Sequence, residues 1–543
     1  MSDKSGYLRH LPPVLWQDEP EPPEFSLGAM LRIFEKVLTG IDDGVPLPKE
    51  ALARQVAAVP RLFDPRTTPE EMLPWLASWV ALRFPTLQGE YHWDVAQRRR
   101  VTGQIAGVYR WRGRHGGLTR YLDLYAAGRI RPRVALDTGA RLLALTVPRP
   151  GVPALVSGLV TQGPVVIGTK VHAEGVTRPW TIATASDGTL FAGDLGLPAA
   201  SPVGVRGRVW RLDAGGGPDQ AGRPPLPAPV ALPVQPTRIV AVAVVPARGA
   251  RPETLYVLDR PGKLYALPAP FRATATEVAT LSAAGTAFDP VAMTVDPGNG
   301  DLLVLDRGSG AGTANGPKII TVRFDPVATT RTALPAVQEP LSLFAERDGS
   351  LLIGDGGPQE PTGPADLPGG LLRVVRAATP WTVTPVLSAP LTAPTGIARG
   401  RDGELYVLDV GLKPFAPSTT DPFIGPVSRD ACVLRVDPAA GKAVQITERG
   451  QFVYPTGMVA VGDRLIVCDP GQPTTPTDVA GHEPYWCRVQ PHLFNVVLHF
   501  TADRLPEDPD ERHRALVQVV GDIRGIVDAQ KPAHTIWNLI TAV

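Results

Sequence analysis

The sequence predicts a multidomain α+β protein in which a split, mainly helical domain is interrupted by an all-β six-bladed propeller. Three observations predict it. Apolar residues recur at helical spacing through roughly the first 135 residues and again near the C-terminus. Between about residues 150 and 487 the period changes to two. In that stretch a strand ending in Asp, followed by glycine, is written six times.

At 543 residues the chain has room for two to four domains, and an apolar fraction of 43% is ample for their cores. The formal net charge of +1 gives no general attraction to nucleic acid or membranes. Three cysteines, Cys432, Cys468 and Cys487, are too few and too odd for a disulfide framework and fit a reducing compartment. The opening MSDKSGYLRHLPPVLW does not pair a basic segment with an apolar one, so no secretory signal is expected. No apolar run reaches the roughly 20 residues of a membrane helix; IVAVAVV at 239–245 is strand-sized. The 60 Pro and 55 Gly gather in the middle between apolar runs, which argues for many short strands there.

Leu27, Met30, Leu31, Phe34, Val37 and Leu38 form a helical stripe. Thr68-Pro69-Glu70-Glu71 reads as a helix start, with a hydroxyl cap, Pro at the first position and acids near the exposed N–H groups. Leu73, Leu76, Ala77 and Val80 follow at helical spacing, and Trp75 and Trp79 share a neighbouring face. Ile105, Val108 and Tyr109 end a further helix. Gly113 and Gly116-Gly117 break it, and Leu118, Leu122 and Tyr125 begin the next. From Arg98 to Arg133 there are ten Arg and one acid, Asp123. A nucleic-acid surface is one reading. A solvated or protein-facing basic patch is preferred, because no nucleic-acid module accompanies it.

LFDPRTTPEEMLPWLASWVAL followed by YRWRGRHGGLTRYLDLY resembles the tail-protein-I family of contractile phage tails and phage-like injection particles. YLRHLPPVLW and LGAMLRIFEKVLTGIDD near the N-terminus fit it too, as do HLFNVVLHF and IVDAQKPAHTIWNL near the C-terminus. The resemblance covers about the first 135 and last 55 residues. It implies a structural baseplate wedge subunit, not an enzyme. The implied partners are a protein-J-like wedge protein, the spike or hub, and the sheath or sheath initiator. The implied location is the bacterial cytoplasm, then the baseplate of a tail-like particle or phage virion. Trp75, Trp79, Arg110, Trp111, Arg112 and Gly113, with Lys531, Pro532, His534 and Thr535, are the residues expected to maintain this domain or its interfaces.

The six repeats end at Asp194, Asp259, Asp306, Asp355, Asp409 and Asp469. Before each lies another short apolar strand, several introduced by proline, with Asp-Gly or Gly-Asn-Gly in the turn to supply positive φ. Third strands follow in RVWRLD, KLYALP, KIITVRFD, LLRVV and CVLRVD, and fourth strands are expected in ATEVATL and AVQITE. Four short strands repeated six times at about 50-residue spacing is a propeller pattern. The unit resembles NHL-type propellers, best in PTGIARGRDGELYVLD at 394–409. The sixth repeat lacks clear outer strands, so a segment near Val165–Val171 is expected to close it. Closure brings the ends of the propeller together, which allows its insertion into another domain. The expected division is 1–148 for the N-terminal helical part, 149–487 for the propeller and 488–543 for the C-terminal β-α-β part. Long loops at 213–236, 356–370 and 411–429 are candidate contact surfaces, for a tail fibre or a surface glycan.

The six aspartates could ring a channel and hold a cation. The preferred reading is structural, with each carboxylate accepting N–H groups of the glycine turn after it. His482, Cys487 and His492 lie close in sequence, but three irregularly spaced residues fall short of a zinc set. Trp75 and Trp79 read as core or interface anchors, and His534 as a packed or hydrogen-bonded histidine. No phosphate loop or nucleophile elbow is present in the sequence, so no cofactor, metal or catalytic residue is expected. The alternative class is a propeller hydrolase or lactonase carried on a docking domain. It would need three or more unlike inward-facing ligands.

Overall fold

The computed structural model describes residues 5–15, 26–41, 49–87, 89–126, 130, 132–137, 141–147, 169–171, 176, 178–195, 207–212, 227–234, 236, 238–282, 287–308, 315–324, 326–357, 369–377, 380–387, 391–411, 424–425, 431–447, 450–471, 493–501 and 505–541. The chain divides into two compact units, Met1–Arg110 and Trp111–Val543.

The first unit is helical. Helix α1 (Leu27–Thr39) starts at Ser26, whose Oγ accepts the Ala29 N–H at 3.0 Å, and ends at Gly40 in the left-handed region. Helix α2 (Leu52–Leu62) follows. The expected helix start at Thr68 takes a different form. Thr68 is buried, Glu70–Met72 form a 3-10 turn, and α3 (Leu73–Trp79) begins only after it. Leu73, Leu76 and Ala77 face the core, whereas Val80 lies beyond the helix, ahead of Ala81 at φ +52°. A small hairpin, β1 (Thr86–Leu87) and β2 (Glu90–Tyr91), leads to α4 (Val95–Tyr109), capped by Asp94. Two of the arginines in the basic run are consumed here. Arg98 is buried against Glu70 at 2.6 Å, with its guanidinium 4.3 Å from the Tyr91 ring centre. Arg99 donates to the carbonyls of Pro65 and Thr68. They tie α4 to the segment before α3 and do not form a free basic face.

The second unit opens with α5 (His115–Ala126). Gly116 and Gly117 lie inside its first turn and do not interrupt the chain between helices. A Cβ on Gly117 would stand 2.2 Å from the Trp111 carbonyl oxygen, so this glycine is required by close approach. Strand β3 (Arg133–Asp137) then runs into β4 (Arg141–Thr146), and β5 (Thr169–Val171) comes before the first complete blade.

Five sheets follow in chain order. The first is β6 (Pro179–Thr184), β7 (Leu190–Asp194), β8 (Arg208–Leu212) and β9 (Ala228–Pro229). The second is β10 (Ile239–Val245), β11 (Thr254–Asp259), β12 (Lys263–Pro268) and β13 (Thr276–Thr280). The third is β14 (Pro290–Val295), β15 (Leu302–Asp306), β16 (Lys318–Arg323) and β17 (Ala328–Ala333). The fourth is β18 (Pro340–Ala345), β19 (Leu351–Asp355), β20 (Gly370–Val375) and β21 (Thr382–Pro385). The fifth begins with β22 (Pro394–Arg399) and β23 (Leu405–Asp409). After the short β24 (Ile424–Gly425) it finishes with β25 (Cys432–Asp437) and β26 (Lys442–Gln445). The sixth pairs β27 (Gly457–Val461) and β28 (Arg464–Asp469) with β4 and β5.

The inner strands β6, β10, β14, β18, β22 and β27 neighbour one another in a closed ring. The six sheets are therefore the blades of a propeller. The period-two pattern explains the packing. Along β15, Leu302 and Val304 pack towards the second sheet, and Leu303 and Leu305 towards the fourth. Along β4, Leu142 and Ala144 face the first sheet, and Leu143 and Leu145 face the fifth. Each blade-to-blade layer is thus apolar from both sides. The outermost strand of the sixth blade falls in the expected closing segment, but its third strand is β4, ahead of the expected propeller boundary at 149. Its RLLALT sequence alternates only weakly, because both of its faces are buried between blades.

The chain ends with β29 (Leu493–Thr501), α6 (Pro509–Gln530) and β30 (Ile536–Thr541). β30 lies parallel to β29, and β3 pairs antiparallel on the other side, with Asp137 opposite Asn495. β24 pairs in parallel with the last residues of β29. Ala515, Val519, Ile523 and Val527 form the buried stripe of α6. Tyr125 of α5 donates to Asp522 at 2.7 Å, and burial together with this acid pushes the phenol pKa up. The ends of the second unit thus form one α/β layer. Among the loops expected as contact surfaces, 213–236 contains β9; most of the other two, with His482, Cys487 and His492, lies outside the described residues.

Candidate interaction surfaces

The helical stripe of α1 does not face a core. Met30, Ile33, Phe34, Val37 and Leu38 are all exposed, Phe34 by 54%. Helix α2 buries no residue, and Leu52, Val56 and Val59 stand in solvent. Beside them Phe63, Trp75 and Trp79 make an aromatic trio. Ring centres lie 5.9 Å apart for Phe63–Trp75, 5.4 Å for Phe63–Trp79 and 4.9 Å for Trp75–Trp79, the last edge to face. Trp79 is 61% exposed and Trp75 40%. The i, i+4 spacing puts both indoles on the side of α3 opposite Leu73 and Ala77. The sequence marked both tryptophans, but it did not single out Phe63 as their companion. Its only cue was its place in LFDP just before the turn.

The remaining expected residues separate into two settings. Arg110, just past the end of α4, is exposed. In the second unit, Trp111 is half-exposed under the guanidinium groups of Arg114 and Arg120, 5.3 and 5.7 Å from its ring. Arg112 donates to the Ala529 carbonyl, and the Gly113 N–H donates to Gln530 O at 3.0 Å. Gly113 adopts φ +77° there. The loop it meets is held by Lys531 Nζ donating to Thr535 O at 2.9 Å and Thr535 Oγ1 donating to Pro532 O at 2.7 Å. Arg112 and Gly113 and the segment after α6, more than 400 residues apart, are therefore one locus that caps the C-terminal end of α6. His534 is exposed beside it.

The six repeated aspartates are buried, and the structure gives each a local partner set. Asp409 accepts the N–H groups of Thr392, Ala393 and Gly411 at 2.8–2.9 Å. Asp355 does the same for Gln338, Glu339 and Gly357, and Asp469 for Val453, Tyr454 and Gly471. Asp306 accepts from Asp289 and Gly308. Asp194 accepts from Arg178 N and Trp210 Nε1. Proline explains much of this. In four blades the inner strand begins with Pro opposite the Asp, and the register shifts one residue later. Pro has no N–H to give the ladder, so the carboxylate reaches past it to the preceding N–H. The second blade has Ile239 in place of Pro. There Asp259 turns to Lys263 N and Tyr265 Oη, and burial raises its pKa. In the sixth blade Asp469 also pairs with Arg141 of β4 at 3.0 Å, both side chains being buried. Among the described residues no group of three or more His, Cys, Asp or Glu is placed to hold a metal ion. No helix among them is long and apolar enough to cross a membrane.

Residues 30–140 match the phage tail protein family (Tail_P2_I). No curated protein matches the chain. Among solved structures, a nidogen/laminin complex is similar at 14% identity and TM-score 0.38, over 59% of this chain and 98% of that one. XC5397 from Xanthomonas campestris, described as a gluconolactonase, is similar at 13% identity and TM-score 0.37, over 62% of this chain and 97% of its own. A further structure, described as a putative gluconolactonase, is similar at 11% identity and TM-score 0.37, over 60% and 97%.

Proposed function

We propose that this protein is a structural wedge component of the baseplate of a contractile phage-tail-like injection particle, linking the hub or spike to the sheath. The observation that carries the proposal is the overlap of the tail-family match at 30–140 with surfaces that are apolar and uncovered in the single chain. Fully burying one large aliphatic or aromatic side chain stabilises by roughly 1.5–3 kcal/mol. Five such residues on α1 and three aromatics around α3 are exposed, which favours a protein neighbour over solvent. The neighbours of this reading are a protein-J-like wedge protein, the spike or hub, and the sheath or its initiator. The mechanism is mechanical: wedge interfaces hold the extended sheath, and their rearrangement releases it.

In the same reading the propeller is an outward decoration for contact with a fibre or a surface glycan. Its insertion point is the β3–β29 pair, whose adjacent ends take the place of a hairpin turn. The division into an N-terminal part, an inserted propeller and a completing C-terminal part belongs to this proposal. The test is affinity purification of the tagged protein from its native cells, with negative-stain imaging and mass spectrometry. Sheath, tube and spike proteins in tail-like particles support the proposal. A free monomer without such partners overturns it.

A further inference from the structure

The six inner strands surround a cavity of about 320 Å³ on the propeller axis. Its wall offers little free polarity. Ser342 Oγ donates to the Pro394 carbonyl, Thr395 Oγ1 to Pro455 and Thr456 Oγ1 to Trp180, each across to the next blade. One end of the cavity is different. Arg238, Arg260 and Arg307 converge there around Asp289, the one carboxylate among the described lining residues. Asp289 takes Arg260 at 3.2 Å and Arg307 Nε at 2.9 Å, and Arg307 also reaches Glu339 at 2.6 Å. Arg238 has no carboxylate partner of its own among the described residues. Its guanidinium lies 5.8 Å from the ring centre of Trp180, which in turn stacks on Tyr454 at 6.5 Å. Burial, and then the positive charges of Arg260 and Arg307, lower the Arg238 pKa, with only Asp289 opposing. A cation half-removed from water beside two others is a place where a bound anion relieves both desolvation and repulsion.

We infer that this channel mouth binds an acidic saccharide, with Arg238 as the partner of a sugar carboxylate and Trp180 and Tyr454 as apolar surface for the ring. The guanidinium fork matches a carboxylate in two parallel hydrogen bonds. The cavity is at the small end of ligand pockets. That size suits one or two pyranose units and excludes a folded protein segment. Arg260 at this end is half-exposed. The inference deepens the contact role proposed for the propeller and rests on that part of the reading.

The experiment is calorimetry on the purified full-length chain with digalacturonate, against neutral galactobiose, acetate and inorganic phosphate. Digalacturonate is expected to bind, with galactobiose, acetate and phosphate at least tenfold weaker. Arg238→Gln and Trp180→Ala are each expected to weaken digalacturonate at least tenfold while the thermal unfolding midpoint stays near that of the wild type. Should Arg238→Gln fail to fold, Arg260→Gln at the same end is read instead and is expected to weaken binding at least threefold. No binding at 10 mM digalacturonate, affinity unchanged in the folded arginine variant, or equal binding of acetate or phosphate overturns the inference. Failure here leaves particle copurification untouched, so it is distinguishable from failure of the baseplate reading.

Discussion

At the residue scale, an aspartate sets how the inner strand begins in five of the six blades. Replacing Asp409 by Ala leaves the N–H groups of Thr392, Ala393 and Gly411 without acceptors, at about 1–3 kcal/mol for each that stays buried and unsatisfied. Asp259 serves the turn that follows it, chiefly through Lys263 N–H and the Tyr265 phenol, and among the described residues holds no N–H of its inner strand. Chemical denaturation is therefore expected to show a larger loss for Asp409→Ala than for Asp259→Ala, and equal losses would contradict this account of the repeat. Arg141→Ala tests the ring closure. It strands the buried Asp469 carboxylate and frees the Gln451 carbonyl, and a loss of about 3–5 kcal/mol is expected in the same assay. A loss below about 1 kcal/mol would mean that β4 is held by its leucines alone. The repeat was legible because Asp recurs in one context. The pairing with Arg141 was not, because those residues are 328 apart.

At the scale of elements, helix α3 divides its two faces cleanly. Leu73 and Ala77 are buried and hold the helix, while Trp75 and Trp79 hold each other and Phe63 in solvent. Trp79→Ala is expected to cost under about 1 kcal/mol of stability, since little area is uncovered. It is expected to reduce recovery of the protein in tail-like particles several-fold, as read by quantitative mass spectrometry of purified particles. Full recovery would remove the aromatic trio from the interface. The stripe of α1 carries a related lesson. Its periodicity was legible as a helix, and α1 is that helix, but periodicity cannot say what covers the stripe. The arginines of the channel mouth were half-legible. The repeated Leu-Asp-Arg of the second and third blades placed Arg260 and Arg307 at equivalent positions. Nothing in sequence brought Arg238 beside Trp180, which lies on another blade.

For the whole molecule, the decisive geometry is where the propeller enters and leaves. Asp137 at the end of β3 stands opposite Asn495 near the start of β29, and Arg141 and Asp469 are paired at the propeller's own ends. Replacing residues 138–494 by an Asn-Gly turn is expected to leave a folded protein. It should retain the α/β layer of α5, β3, β29, α6 and β30, seen as cooperative thermal unfolding and dispersed amide resonances. An unfolded product would show that this layer depends on the sixth blade. Such dependence has a structural basis in Val453, which packs with Ala135 and Val497. It also has one in Arg133, which donates to the Val453 carbonyl at 2.6 Å.

The sequence by itself determined the class of each segment, the six-fold repeat, the aspartate that ends each second strand and the presence of helices α1, α3 and α4. All of these are written in local periodicity, proline and glycine, whose effects act over a few residues. Only the tertiary structure decided that β4 completes the sixth blade, that Arg112 and Gly113 meet the end of α6, that the α1 stripe stays exposed and that three arginines converge on one channel mouth. Each of these depends on contacts between residues far apart in the chain, which chain closure selects and local pattern does not encode.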